Sequence, residues 1–183
     1  MSTKILVPSG VLGLGFDQEA LNLGLKRHPD IICIDGGSTD SGPFYLGTGT
    51  TKYSSEVCKL EWKKLMKARE QLGVPLVIGT CGTCGTNNMV DWMFEMTCSL
   101  AKELKQKVRV ARIYSENSTE QLKEALSLGN IFPLEPALDI DQENIDTFTH
   151  IVSLAGVEPF QESINTGADI ILAGRATDTA IIS

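Results

Sequence analysis

Two short segments carry most of the residues in this chain that could do chemistry. Asp35-Gly36-Gly37-Ser38-Thr39-Asp40 sets two carboxylates within a run of small residues, and Gly174-Arg175-Ala176-Thr177-Asp178-Thr179 sets a guanidinium ahead of a third. Paired carboxylates suit general acid/base work, with Asp35, Asp40 and Asp178 as the candidates, or they hold a hard divalent cation between Asp35 and Asp40. The planar fork of Arg175 suits a substrate carboxylate or phosphate. Ser9-Gly10 and Thr80-Cys81-Gly82 repeat the theme: glycine lets a backbone approach a ligand, and hydroxyls with free N–H groups bind oxyanions. Simpler readings stand beside these. Asp40 caps a turn, Asp35 accepts backbone N–H groups, Arg175 pairs with Asp178, or Asp178 answers a helix dipole.

Cys81-Gly82-Thr83-Cys84 contains a C-x-x-C. A dithiol of the thioredoxin type needs the first cysteine at a helix N-terminus, and a structural zinc site needs a second pair. Here glycines flank the pair, Asn87-Asn88 is the expected helix cap, and Cys33, Cys58 and Cys98 lie apart. The pair therefore reads as small residues in a ligand-facing, glycine-rich loop. Gly10-x-x-Gly13-x-Gly15 with Asp35 downstream resembles a dinucleotide fingerprint, but the glycine order is reversed and Pro8 sits in the turn. Two histidines, His28 and His150, give little material for a histidine metal site or a Ser-His-Asp triad.

The elements that must position these residues follow from periodicity. Lys4–Val7, Asp30–Ile34, Pro75–Ile78, Val108–Tyr114 and Asp169–Ala173 read as short strands, the first two and the last as continuous apolar, buried ones. Amphipathic helices are expected over 17–27, 54–72 with Gly73 as its cap, and 88–104, then from Ser118 with a capping box, and over 159–166. Residues 128–143, with Pro133 and Pro136, read as a surface excursion, and 147–154 as a short strand. Apolar strands alternating with helices mean an α/β, doubly wound, mostly parallel sheet with helices on both faces. Ligands in such sheets sit outside the carboxyl ends of the strands. Four of those ends carry Ser9 and Gly10; Asp35, Gly36, Gly37, Ser38, Thr39 and Asp40; Thr80 and Gly82; and Arg175, Thr177 and Asp178. They converge on one polar crevice.

A net charge of −7 over 183 residues argues against nucleic-acid or anionic-membrane partners, which need a basic face. No apolar run is long enough to span a bilayer, and no leader pattern precedes the first strand. Five cysteines without a framework pattern suit a reduced, cytoplasmic protein. The chain is expected to form a single α/β domain over 1–183. Its last residues open like a helix and stop, as in the N-terminal part of a longer chain.

Val7–Phe16, the block Asp35-Gly36-Gly37-Ser38-Thr39-Asp40-Ser41-Gly42-Pro43-Phe44-Tyr45-Leu46-Gly47, and the block Gly167–Ala180 together resemble the N-terminal region of the acyclic terpene utilisation (AtuA-like) family. The resemblance implies a catabolic role linked to branched terpenoid acids as acyl thioesters, and its matching positions are Asp35, Ser38, Thr39, Asp40, Arg175 and Asp178. The expectation is an enzyme acting on a small or branched carboxylate or its acyl thioester by acid/base chemistry of hydratase, lyase or isomerase type. The alternative is a nucleotide-binding or non-catalytic subunit of a catabolic complex. The protein is expected to work as a homo-oligomer or beside a partner subunit.

Overall fold

The computed structural model of the chain describes residues 2–37, 39–137 and 139–183. Five parallel strands form one sheet: β1 (Ile5–Leu6), β2 (Ile31–Gly37), β3 (Leu76–Thr83), β4 (Val110–Ile113) and β5 (Ile170–Ala173), in the order β1-β2-β3-β5-β4. The last strand of the chain thus lies inside the sheet. It pairs Val77 with Ile171 on one side and Ala111 with Ile171 on the other.

Helices α1 (Gln18–Leu25), α3 (Ser55–Leu72) and α4 (Asn87–Leu104) cover one face. Leu21, Trp62, Leu65, Met66, Met93 and Leu100 pack there on Ile32, Ile34, Leu76, Ile78, Ile170 and Leu172. The alternate strand residues Cys33, Val77, Ile171 and Ala173 point the other way, as period-two geometry requires. They meet Phe160 of α7 (Glu158–Asn165) and the chain-terminal Ala180 and Ile181. Both faces are therefore apolar, and the doubly wound α/β expectation holds.

The boundaries obey local chemistry. Ser54 accepts from the Val57 N–H to start α3, and Gly73 ends it at φ +66°. Ser118 and Gln121 form the expected capping box at the start of α5 (Thr119–Ser127). Two short helices, α2 (Phe44–Thr48) and α6 (Gln142–Thr147), arise where the sequence shows no apolar stripe. Thr147 ends α6, and the rest of the expected strand 147–154 makes only one isolated antiparallel bridge, Glu116 with Val152. β1 is not buried: as an edge strand with one neighbour it leaves Ile5 exposed, and Val7 just beyond it is exposed too.

Right-handed crossovers explain the layering. Moving outward from β1 to β3 and over to β4 puts the connecting helices on the first face; returning from β4 to β5 puts α7 on the second. After β3 the chain leaves for α4, whereas after the adjacent β5 it leaves for Ala176–Ile181 on the opposite face. Neighbouring strands whose continuations diverge open a crevice at their carboxyl ends.

Candidate active site at the divergence of strands β3 and β5

β3 does not end cleanly at this crevice. Its register with β2 shifts between Asp35, opposite Gly79, and Gly37, opposite Thr83. Thr80 and Gly82 take left-handed backbone in the bulge, with φ +52° and +63°. Thr80 is held there from β5: its N–H donates to the Gly174 carbonyl at 3.0 Å and its hydroxyl accepts from the Ala176 N–H at 3.2 Å. A Cβ at Gly37 would come within 2.3 Å of the Thr80 side chain, so glycine is required for this closeness. Thr80 is the pin that sets β5 against the end of β2.

A cavity of about 460 Å³ opens beside this pin, and Gly10, Asp35, Gly37, Thr39, Asp40, Arg175 and Asp178 line it together. They come from three of the four strand ends that the sequence singles out. Lys52 and Tyr53, with Val11 and Leu14 of the first loop, complete the lining. Among the other residues singled out, Ser9 lies just outside and bonds within its own turn to Val11. Gly36 and Thr80 are buried beneath the cavity, Gly82 packs on Met89, and Thr177 caps the Ala180 N–H. Ser38 lies outside the described residues. A larger concavity, about 1040 Å³, runs along β1 and α1. Its only charged lining residues are Lys4 and Arg27, which supply no acid/base pair, so the smaller, polar cavity is the candidate site.

Asp35 is the distinctive group. Burial pushes its carboxyl up to about 6, the Gly37 N–H bond and the Arg175 charge pull it down, and Asp178 pushes it up further. The Gly37 N–H is committed to Asp35 Oδ1 at 2.9 Å and is not a free donor for a ligand oxyanion. Arg175 donates from Nη2 to the Thr83 carbonyl at 3.2 Å, which fixes the side chain while leaving most of its fork available. Asp40 and Asp178 are exposed at the rim.

Lys52 escapes sequence reasoning because a lysine just before a helix reads as surface. It is exposed, but two bonds place it at the cavity: its backbone N–H donates to Thr83 Oγ1 at 3.0 Å and its Nζ to Ser41 Oγ at 3.1 Å. The available signal was the glycine- and threonine-rich run 47–51 leading to the Ser54 cap, which places this loop at the carboxyl edge of the sheet. Tyr53 beside it packs where a Cβ at Gly13 would come within 2.5 Å of its own Cβ. Burial raises the Tyr53 hydroxyl pKa.

The first glycine loop is occupied by the protein itself. Glu61 of α3, 5% exposed, accepts from the Gly13 and Gly15 N–H groups, both at 2.7 Å. The donors that a dinucleotide phosphate would need already hold a carboxylate. Nor do the carboxylates gather for a metal. Among the described residues no group of three or more His, Cys, Asp or Glu is arranged to hold an ion, and a hard divalent cation needs more oxygen ligands than Asp35 and Asp40.

The C-x-x-C does not form a flexible loop. β3 runs through Cys81 to Thr83, and both cysteines are buried and free. Burial drives the Cys81 thiol pKa far upward, so it is an inert core group. Cys84 Sγ sits 3.2 Å from Thr86 Oγ1.

The fold and crevice define a doubly wound α/β protein with a polar site, centred on one raised carboxyl, where two strands diverge. This chain belongs to the acyclic terpene utilisation family, AtuA, whose family model matches residues 49–183. The match takes in Lys52, Tyr53, Arg175 and Asp178, while Asp35 and Asp40 lie ahead of it. No curated protein and no solved structure matches the chain. Among the described residues no helix is long and apolar enough to cross a membrane.

Proposed function

We propose that the crevice is the active site of a catabolic enzyme acting on a small or branched carboxylate, or its acyl thioester, by acid/base chemistry of hydratase, lyase or isomerase type. The observation that carries this reading is the Asp35 carboxyl, raised to about 6 inside a cavity that also presents Arg175. A group poised near the working pH can take a proton and give it back. Asp35 removes a proton from the carbon α to a carbonyl, and the electron pair left behind moves onto the carbonyl oxygen. The cations of Lys52 and Arg175 offset that developing charge, as preorganised donors do. Return of the proton from Asp35 to the same or a neighbouring carbon, or departure of a β-substituent, then separates isomerase from lyase outcomes. Family membership supports the catabolic setting. The same reading places the enzyme in the cytoplasm, as a homo-oligomer or beside a partner subunit.

The test is proton exchange rather than complete turnover. Full-length protein incubated in D2O with branched acyl thioesters and their free acids should wash deuterium into the α position, seen by NMR. Asp35→Asn should slow that exchange by roughly 10²- to 10⁴-fold, whereas Asp40→Asn, at the exposed rim, should slow it far less. Absence of exchange with every compound, or full exchange in Asp35→Asn, overturns the assignment.

A further inference from the structure

The crevice has an apolar annex. A hollow of about 290 Å³ adjoins it, and Thr39 and Arg175 belong to the walls of both. The hollow's own walls are Gly42, Pro43, Tyr45 and Leu46, leading into and along α2, with Thr83 and Cys84 at the end of β3. Arg175 sets a cation at one end of the hollow, and the groups of β3 beside it are engaged: the Thr83 carbonyl accepts from Arg175, the Thr83 hydroxyl from the Lys52 N–H, and the Cys84 thiol meets Thr86. Away from Arg175, Pro43, Tyr45 and Leu46 present mainly aliphatic and aromatic surface, which suits a hydrocarbon chain.

The wall that carries Tyr45 and Leu46 is anchored. Thr149 Oγ1 donates to the Gly47 carbonyl and Asn88 Nδ2 to the Gly49 carbonyl, each at 2.8 Å. His150 closes over Gly49, where a Cβ would come within 2.6 Å of its Nε2. His150 is itself held by Glu116 at 2.6 Å, and the other Glu116 oxygen accepts from the Asn87 N–H at the start of α4. A wall tied at the Gly47–Gly49 end to two other segments keeps a fixed distance from Arg175. Fixed distance from a cation to an apolar wall is what measures the length of an amphiphilic acid.

We infer that the hollow is a tail subsite, in which the carboxylate or thioester end of an aliphatic acyl chain lies at Arg175 and Lys52 while its chain runs against Tyr45 and Leu46. This rests on the carboxylate reading of the crevice and adds the chemical class of the tail and the residues that select it. At the roughly 30 Å³ that a water occupies in the liquid, the hollow holds on the order of ten non-hydrogen atoms. Chains beyond about that length gain nothing further.

The test is calorimetric titration of the full-length protein with straight-chain saturated carboxylates from acetate to dodecanoate. Affinity should rise by up to about fourfold per methylene and level off near ten carbons. Arg175→Ala should weaken every member by at least tenfold. Leu46→Trp should shorten the chain at which the rise stops and lower the ratio of decanoate to butyrate affinity by tenfold or more. If Leu46→Trp fails to fold by circular dichroism, Leu46→Ala, which only removes atoms, should lower the same ratio by about tenfold. If no carboxylate binds the wild type, the carboxylate site falls and this inference with it. Binding that is independent of chain length, or a ratio unmoved by either Leu46 variant, overturns the tail subsite and leaves the carboxylate site standing.

Discussion

The two ends of the sheet use the same residue types to opposite purpose. At the amino ends, Arg69 is 6% exposed and its donors are taken up: Nη2 by Asp169 at 3.0 Å, Nη1 by Glu70 at 2.7 Å and Nε by the Val74 carbonyl at 3.1 Å. The second Asp169 oxygen accepts from the Arg109 N–H at 2.8 Å. At the carboxyl ends, Arg175 and Asp35 face a shared cavity, with the arginine tied by a bond to one carbonyl. A satisfied ion pair fastens α3 and β4 to the first residue of the β5 segment. An arginine and a carboxyl held apart, one with donors to give and the other with a raised pKa, are available to a ligand. Both ends hold an arginine and an aspartate, and satisfaction separates the scaffold from the candidate site.

Substitution can break this contrast directly. Arg69→Ala leaves a part-buried Asp169 with only the Arg109 N–H as partner and should cost about 2 kcal/mol, lowering the thermal midpoint by roughly 6 °C. A midpoint unmoved by Arg69→Ala would make the two ends equivalent and remove the distinction. Asp35→Asn should act in the other direction, by roughly 1–2 kcal/mol once solvent access to the cavity discounts the full shift. Because the folded carboxyl sits near 6 and the unfolded one near 3.8, the wild type holds its extra stability below about pH 4 and loses it as pH rises through 6. Asparagine has no such loss. Urea melts should therefore show the variant gaining on the wild type as pH rises from 4 to 7.5, and a constant difference across that range would contradict the raised carboxyl. The smallest effect belongs to Arg175→Ala, half-buried and bonded to a carbonyl, which should change stability by less than about 1 kcal/mol while weakening anion binding.

Much of this contrast is legible in the residues, for physical reasons. Parallel strands buried on both faces write themselves as apolar runs, so their carboxyl ends can be located, and with them Asp35 and Arg175. Helix α3 announces itself through Ser54, its apolar stripe and Gly73. Strand order is not local: nothing in Asp169–Ala173 says that it will lie between β3 and β4, because that depends on which edges remain open when it arrives. Glu61 sits in the apolar stripe of α3 at helical spacing, and a carboxylate facing inward is a sign that something must satisfy it. The partners, Gly13 and Gly15, sit in a loop whose spacing suggests a nucleotide instead. Thr80 and Gly82 look like ligand residues because a strand-end Gly/Thr run has the same composition whether it meets a ligand or a neighbouring strand. The bulge turned both inward. The Cys81–Cys84 spacing misleads in the same way, since β3 continues through it.

The place of β5 also bears on how the protein is made. Arg175 and Asp178 reach Asp35 only when Ile170–Ala173 slots between two strands that were synthesised long before it, pairing Leu76 with Ile170 and Ile113 with Ala173. Such distant pairings close late and slowly. On a ribosome, β3 and β4 emerge with facing edges unpaired and must wait for the last strand, a state in which open edges invite other chains. Insertion of β5 and assembly of the crevice are one event, so a nascent chain stopped short of residue 170 has neither.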